Sequence, residues 1–248
     1  MKVIKVADYE AMSIQGADYI LNQLLTKQLN VLGLATGGTP EGLYQTLREQ
    51  IVGKALSLKH LHTVNLDEYI GLPADSPASY HYYMHDIFFK YIPIPKENTH
   101  LPNGDVLNVL EECTRYEKMI ASLGGVDLQL LGIGQNGHIG FNEPGSPFNG
   151  RTRIVDLAPS TIEANARYFS SKSDVPRQAI TMGIKTIMES RQILLLASGK
   201  EKAEAVKALI EGDQSEDIPA TVLQDHPHLT VIADEAALSS VTGSLSSV

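Results

Sequence analysis

A single cysteine, Cys113, stands in 248 residues, so there is no intrachain disulfide and no zinc site built on cysteine thiolates. Basic residues are scarce beside acidic ones: Lys and Arg total 20 against 29 Asp and Glu, a formal charge of −9 at pH 7. That balance argues against a non-specific nucleic-acid binder, which needs a surplus of cations to neutralise phosphates. An anionic small ligand would have to be met by a local basic pocket. No apolar run approaches the ~20 residues of a membrane-spanning helix, and the opening Met-Lys-Val-Ile-Lys-Val is too short and too interrupted for a signal peptide. The expectation is a cytoplasmic protein with neither a nucleic-acid nor a membrane partner. What the chain does contain, 43% hydrophobic and 20% charged residues, suits a globular chain with a sizeable core.

Short apolar runs alternate with longer amphipathic segments. Val3–Val6, Val31–Ala35, Thr63–Leu66, Val126–Leu131, Gln192–Ala197 and Leu229–Asp234 read as strands. Helices are expected over Tyr9–Gln28, after Pro40, and over Ser79–Tyr91, Cys113–Leu123, Thr161–Phe169, Ala179–Met188 and Glu201–Glu211. Pro40 suits the first turn of its helix. Ser160-Thr161-Ile162-Glu163 fits a capping box, in which Ser caps and Glu reaches back. Alternation of this kind implies an α/β fold with a mostly parallel sheet and helices on both faces. No repeat or linker divides residues 1–238, which read as one domain. The Ser-rich stretch 239–248 reads as a frayed tail.

Chemistry concentrates after the run Val126–Leu131. Glycines at 132, 134, 137 and 140 let the backbone turn tightly, and among them stand Asn136, His138, Asn142 and Glu143. An idle connection needs no imidazole and carboxylate beside a Pro-stiffened turn, so this loop reads as functional. Thr36-Gly37-Gly38-Thr39 offers amides, two hydroxyls and a following helix N-terminus. It can be an anion cradle or simply a tight strand-to-helix turn, and it matches no Walker A or dinucleotide fingerprint. Asp67 follows a buried strand, where open parallel sheets place ligands, yet a turn aspartate fits equally. Glu68 beside it could perturb its titration. Arg167, Lys200 and Lys202 are candidate phosphate partners among cations that ordinarily serve as solvated surface. His81 and His85 have the i, i+4 spacing of a metal pair but lack a third ligand, and no metal is expected.

Taken together, Leu34-Ala35-Thr36-Gly37-Gly38-Thr39-Pro40, Asn65-Leu66-Asp67-Glu68-Tyr69 and Gly137-His138-Ile139-Gly140-Phe141-Asn142-Glu143-Pro144 resemble the glucosamine-6-phosphate deaminase family. The resemblance runs on through Arg151-Thr152-Arg153, Ala164–Phe169 and Ala179–Gly183, and covers the chain from Val3 to about Leu238. It implies a Rossmann-like sheet and an enzyme of amino-sugar (N-acetylglucosamine) catabolism. That enzyme would turn D-glucosamine 6-phosphate and water into D-fructose 6-phosphate and ammonia with no cofactor. It also implies roles. Asp67 would be the base at C2, His138 with Glu143 would open the sugar ring, and Thr36, Gly37, Gly38, Thr39, Arg167 and Lys202 would hold the phosphate. Arg167 falls in a segment resembling the family's mobile lid.

Two positions depart from the family pattern. Many members carry Asp where Asn136 stands, and a carboxamide can hydrogen-bond and orient but cannot relay a proton at neutral pH. Hexameric members activated by N-acetylglucosamine 6-phosphate carry Lys where Val155 stands and have a longer C-terminal segment. The expectation is therefore a monomer or small homo-oligomer without that activation. Two rivals stay in view: a phosphosugar lactonase, which needs no carbon base at Asp67, and a sugar-phosphate sensor domain. The sensor would need a DNA-reading module, for which the acidic chain shows no N-terminal length.

Overall fold

The computed structural model describes residues 1–158, 162, 163, 166, 169, 171 and 174–243. Strands β1 (Lys2–Val6), β2 (Val31–Leu34), β3 (His62–Asn65), β4 (Asp67–Tyr69), β5 (Thr99–His100), β6 (Leu128–Gly132), β7 (Arg153–Asp156), β8 (Gln178–Thr181), β9 (Gln192–Ala197) and β10 (Leu229–Asp234) form two sheets. Flanking them are helices α1 (Tyr9–Leu25), α2 (Glu41–Gly53), α3 (Tyr80–Ile87), α4 (Val109–Ser122), α5 (Ile184–Met188) and α6 (Ala203–Glu211). The larger sheet has the order β1-β10-β9-β6-β2-β3-β5, and every pairing in it is parallel. Successive side chains of a strand point to opposite faces. Leu128, Gln129, Leu130 and Leu131 are all at most 1% exposed, so both faces of the sheet are covered. This is why the central strands read as unbroken apolar runs.

The topology decides where a ligand can sit. From β2 the chain moves outward to β3 and β5, then returns to place β6 on the other side of β2 before building β9 and β10. Strand order therefore reverses between β2 and β6, and open parallel sheets bind ligands in the crevice at the carboxyl ends of such strands. Both glycine-rich loops singled out in the sequence leave the sheet there. At the opposite end, the buried Asp127 carboxylate accepts the amides of Asn30 and Val31 at 2.8 and 2.9 Å and pairs with Arg191, tying the starts of β2, β6 and β9 together.

Leu66 ends the run through the main sheet. Asp67 then begins β4 in a second, antiparallel sheet of order β4-β8-β7, and the Met182 amide holds the Leu66 carbonyl at 2.6 Å. The single helix expected over Ala179–Met188 is therefore corrected. Residues 178–181 are β8, paired on both sides, and only Ile184–Met188 is helical. Ala179, Ile180 and Thr181 are fully buried between β4 and β7, and so short an apolar run carries no periodicity to tell strand from helix. The last helix also starts later than expected, since Lys200–Lys202 forms a 3-10 turn before α6. The capping box at Ser160 and most of the helix expected over Thr161–Phe169 lie outside the described residues. The expected tail begins with bonds from Ser240 to Glu204 and from Thr242 to Glu211, and residues 244–248 lie outside the described residues. No helix among those described is long and apolar enough to cross a membrane.

One loop packs hard against β4. A Cβ on Gly104 would lie 1.8 Å from the Tyr69 carbonyl oxygen, which is backbone and cannot swing aside. Gly104 also accepts the Gly71 amide at 3.0 Å. Gly104→Ala should displace the end of β4 and cost roughly 1–3 kcal/mol or more, as overpacking does. A lowered urea midpoint would register it, and a wild-type midpoint would mean that this contact does not hold β4.

Candidate active site

The loop after β2 is braced from outside by phenols. Tyr44 donates to the Ala35 carbonyl at 2.6 Å, Tyr83 to that of Gly37 at 2.7 Å and Tyr9 to that of Gly38 at 3.0 Å. With those carbonyls occupied, the amides of Gly37, Gly38 and Thr39 donate to no acceptor among the described residues. They sit just before α2, whose N-terminus favours an anion. The same cavity is lined by Lys202, whose ammonium has no hydrogen bond or ion pair among the described residues. Burial draws its ammonium below the usual lysine range, with the charge of Glu201 pulling the other way. Unpaired amides and an unpaired, half-buried cation form a site suited to phosphate.

Asp67 and Glu68 share neither side of β4 nor surroundings. Asp67 lines the cavity and is 5% exposed. Burial first, and the charge of Glu68 second, push its carboxyl up to about 8, while a bond with the Thr36 hydroxyl acts in the opposite direction. Glu68 turns toward α3. It accepts the amides of Tyr69, Tyr80 and His81 at 2.8, 3.0 and 2.9 Å, and the His81 Nδ1 at 2.8 Å. The sequence reading missed Tyr80. Its ring lines the cavity beside Asp67, its hydroxyl donates to Tyr69 Oη at 3.3 Å, and it stacks on Phe141 with centroids 6.1 Å apart. Its one signal was its place in the first turn of a helix following a strand-end carboxylate, and the aromatic richness of that helix read as packing.

The loop after β6 closes on itself. Gly134 donates to the His138 carbonyl at 2.9 Å, and a Cβ on Gly134 would lie 2.2 Å from the His138 ring, so only glycine lets the imidazole seat there. Asn136 bridges the other two polar groups. Its Nδ2 donates to Glu143 Oε2 at 2.8 Å, and its Oδ1 meets His138 Nδ1 at 2.7 Å. The Glu143 carboxylate decides which way the amide faces, and an amide oxygen can only accept. His138 Nδ1 therefore carries the proton, and in the neutral ring Nε2 keeps its lone pair. Glu143 stands 3.5 Å from Nδ1, behind Asn136 rather than on the cavity wall. Asn142 belongs to the frame: fully buried, it accepts from Arg153 at 2.7 Å and donates to the carbonyls of Ile139 and Met182.

Thr36, Gly37, Gly38, Thr39, Asp67, Asn136, His138 and Lys202 thus meet around one cavity of about 490 Å³, with Glu143 reaching it through Asn136. Arg167 lies outside the described residues. His81 and His85 line a different cavity, and no group of three metal-binding side chains occurs among the described residues.

Comparison with known proteins places the chain in a family. Residues 7–232 match the family of glucosamine-6-phosphate isomerases/6-phosphogluconolactonase. The chain is 57% identical to a glucosamine-6-phosphate deaminase of Geobacillus sp. (strain WCH70), over 97% of this chain and 96% of that one. A solved structure described as a monomeric glucosamine-6-phosphate deaminase superposes with a TM-score of 0.94 at 51% identity, covering 97% of this chain and 100% of the other. The 6-phosphogluconolactonase from Trypanosoma cruzi matches at a TM-score of 0.78 and 22% identity over 98% and 97% of the two chains, a likeness of fold.

The surroundings of Asp67 have a consequence for stability. Its carboxyl moves from 3.8 to about 8 on folding, so between those values the folded chain holds a proton that the unfolded chain has released. Stability from this group is present at low pH and is lost as pH rises through about 8. Asp67→Asn should therefore stabilise the protein by an increment that grows from pH 5 to pH 8, reaching about 1 kcal/mol or more, or about 2–4 °C in a chain of this size. Calorimetric melting across that range checks it, and a pH-independent increment would remove the buried carboxylate as its cause.

Proposed function

The chain belongs to the family of glucosamine-6-phosphate isomerases and 6-phosphogluconolactonases, and we propose that it is a deaminase, converting D-glucosamine 6-phosphate and water to D-fructose 6-phosphate and ammonia. The observation that carries this choice is Asp67, a buried carboxylate with raised proton affinity facing a phosphate-type cradle. A deaminase needs a base that takes a proton from carbon, and a lactonase does not. The identity to deaminases along nearly the whole chain supports the same choice.

In this reading the amides of Gly37, Gly38 and Thr39, the hydroxyls of Thr36 and Thr39, and Lys202 hold the phosphate, with Arg167 added from a segment resembling a lid. Fixing one end of the sugar fixes C2 relative to Asp67, so positioning supplies part of the catalysis. His138 moves a proton from the anomeric hydroxyl to the ring oxygen and opens the pyranose. Asn136 and Glu143 hold its Nδ1 protonated and leave Nε2 for the sugar. Asp67, once ionised, takes the proton from C2 of the open chain to give an enolamine. Returning that proton to C1 leaves an imine at C2, and water adds there and expels ammonia. A base whose conjugate acid titrates near the working pH does this better than an ordinary carboxylate.

The chain is read as a cytoplasmic monomer or small oligomer of amino-sugar catabolism, not activated by N-acetylglucosamine 6-phosphate. Val155, where activated relatives carry Lys, packs against the apolar cluster of Tyr69, Phe141, Leu157 and Ala179 and cannot hold a phosphate. Adding the acetylated sugar phosphate should leave KM unchanged. A marked fall in KM, or sedimentation as a hexamer, would overturn this part of the reading.

Incubation with glucosamine 6-phosphate should release equal amounts of ammonia and fructose 6-phosphate, and binding without ammonia release would refute the deaminase. Asp67→Asn should bind the substrate yet lose turnover and C2 proton exchange by about 10²–10⁴-fold, the usual weight of a general base. Asn136→Ala frees the imidazole and should cost kcat about 10²-fold, the scale of a misplaced catalytic group. Unchanged kcat in that variant would deny Asn136 its orienting role.

A further inference from the structure

His81 lies outside the cavity that holds Asp67. It lines a second cavity of about 640 Å³ together with His85, Phe89, Ile94, Lys96 and Leu101. Its ring is nevertheless bonded into the base's immediate surroundings: Nδ1 and the His81 amide both meet Glu68 Oε2, at 2.8 and 2.9 Å. The remaining bonds to Glu68 come from the backbone, the Tyr69 and Tyr80 amides on Oε1. Glu68 is 1% exposed and adjoins Asp67 in the chain. A charge so poorly hydrated acts strongly on a neighbouring carboxylate, and charge-assisted hydrogen bonds are what draw it away.

We propose that His81 is a positioning residue for Asp67: through its bond to Glu68 it holds that carboxylate at the first turn of α3 and takes up part of the negative charge that would otherwise bear on Asp67. The inference rests on the reading of Asp67 as the carbon base. Its sign follows from the bonding. Three backbone amides remain on the Glu68 carboxylate when the imidazole is removed, so its charge loses one charge-assisted bond and is less compensated. Repulsion then makes Asp67 hold its proton to higher pH. Other titratable groups nearby are Tyr69 on β4, Tyr80 and His85 on α3, Tyr116 on α4, which feels the Asp67 charge, His138 on the same cavity as Asp67, and Asp75 and Lys96 at the second cavity. On α4, Glu112 is paired with Arg115 and senses the His81 charge. All of these stay in place when His81 alone is changed.

His81→Leu and His81→Asn test the assignment, because the Asn Nδ2 stands where the imidazole Nδ1 does and restores the donor. His81 is 28% exposed at its side chain, so both variants should fold, as circular dichroism will show. Two quantities are read in each: the titration of the Asp67 carboxyl by ¹³C NMR, and the acidic limb of kcat/KM for glucosamine 6-phosphate. His81→Leu should move both upward by about half a pH unit or more, as loss of a bond to a charged neighbour does, and His81→Asn should return both to the wild-type position. Equal midpoints in wild type and His81→Leu, or the same displacement in both variants, would overturn the inference. The NMR midpoint does not depend on turnover, so a wild-type enzyme that released no ammonia would sink the deaminase reading separately.

Discussion

Successive residues of a strand point to opposite faces, and at β4 that rule falls on Asp67 and Glu68, two carboxylates that are both buried. Glu68 is supplied with backbone amides at the start of α3, where orphan N–H groups and the helix dipole favour an anion. Asp67 receives the Thr36 hydroxyl and the neighbouring charge. Two neighbouring carboxylates thus receive different surroundings: Glu68 is tied into the start of α3, while burial and the Glu68 charge raise the proton affinity of Asp67. The same bonds dock α3. With α3 in place, Tyr80 walls the cavity beside Asp67, and Tyr83 reaches the Gly37 carbonyl of the anion loop. Removing Glu68 would loosen the base, the wall and the cradle together.

The cavity also depends on a break in the main sheet. Had β3 continued past Leu66 within the parallel sheet, Asp67 could not have paired with Thr181 in the second sheet. The bond from the Met182 amide to the Leu66 carbonyl fixes that departure. Cradle and base therefore stand on different sheets, joined at the switch point between β2 and β6. Lys202 comes from a third direction, the 3-10 turn after β9. A substrate spanning phosphate and C2 would touch all three, which makes their relative placement more important than the strength of any single contact.

How much of this could be read from the chain varied with the length of the signal. β6, β9 and β10 were legible because strands buried on both faces are unbroken apolar runs, and the parallel α/β class followed from their alternation with helices. The second sheet was not legible. Its strands have three or four residues, too few for a period to declare itself, and Ala179–Met188 passed for a helix. At the site, His138 and Glu143 stood out because their loop had no structural need of them. Tyr80 did not, since an aromatic residue in an aromatic helix looks like core until a cavity opens beside it. The carboxamide chemistry of Asn136 pointed to an orienting part, but its partners required three dimensions.

Asn136 also bears on how protons travel. A carboxylate at that position would face Glu143 at hydrogen-bond distance, and one of the two would have to hold a proton. The amide avoids that conflict: it accepts from His138, donates to Glu143 and leaves no proton to pass between them. A relay from the imidazole through Asn136 is thereby closed. Ring opening does not need one, because the proton leaves the hydroxyl on C1 and arrives at the ring oxygen, which is bonded to the same carbon. One nitrogen within reach of both oxygens suffices, with no net exchange with solvent. His138 Nε2, free of commitments to the loop, is that nitrogen in the proposed mechanism, and the carboxamide's inability to carry a proton costs the reaction nothing.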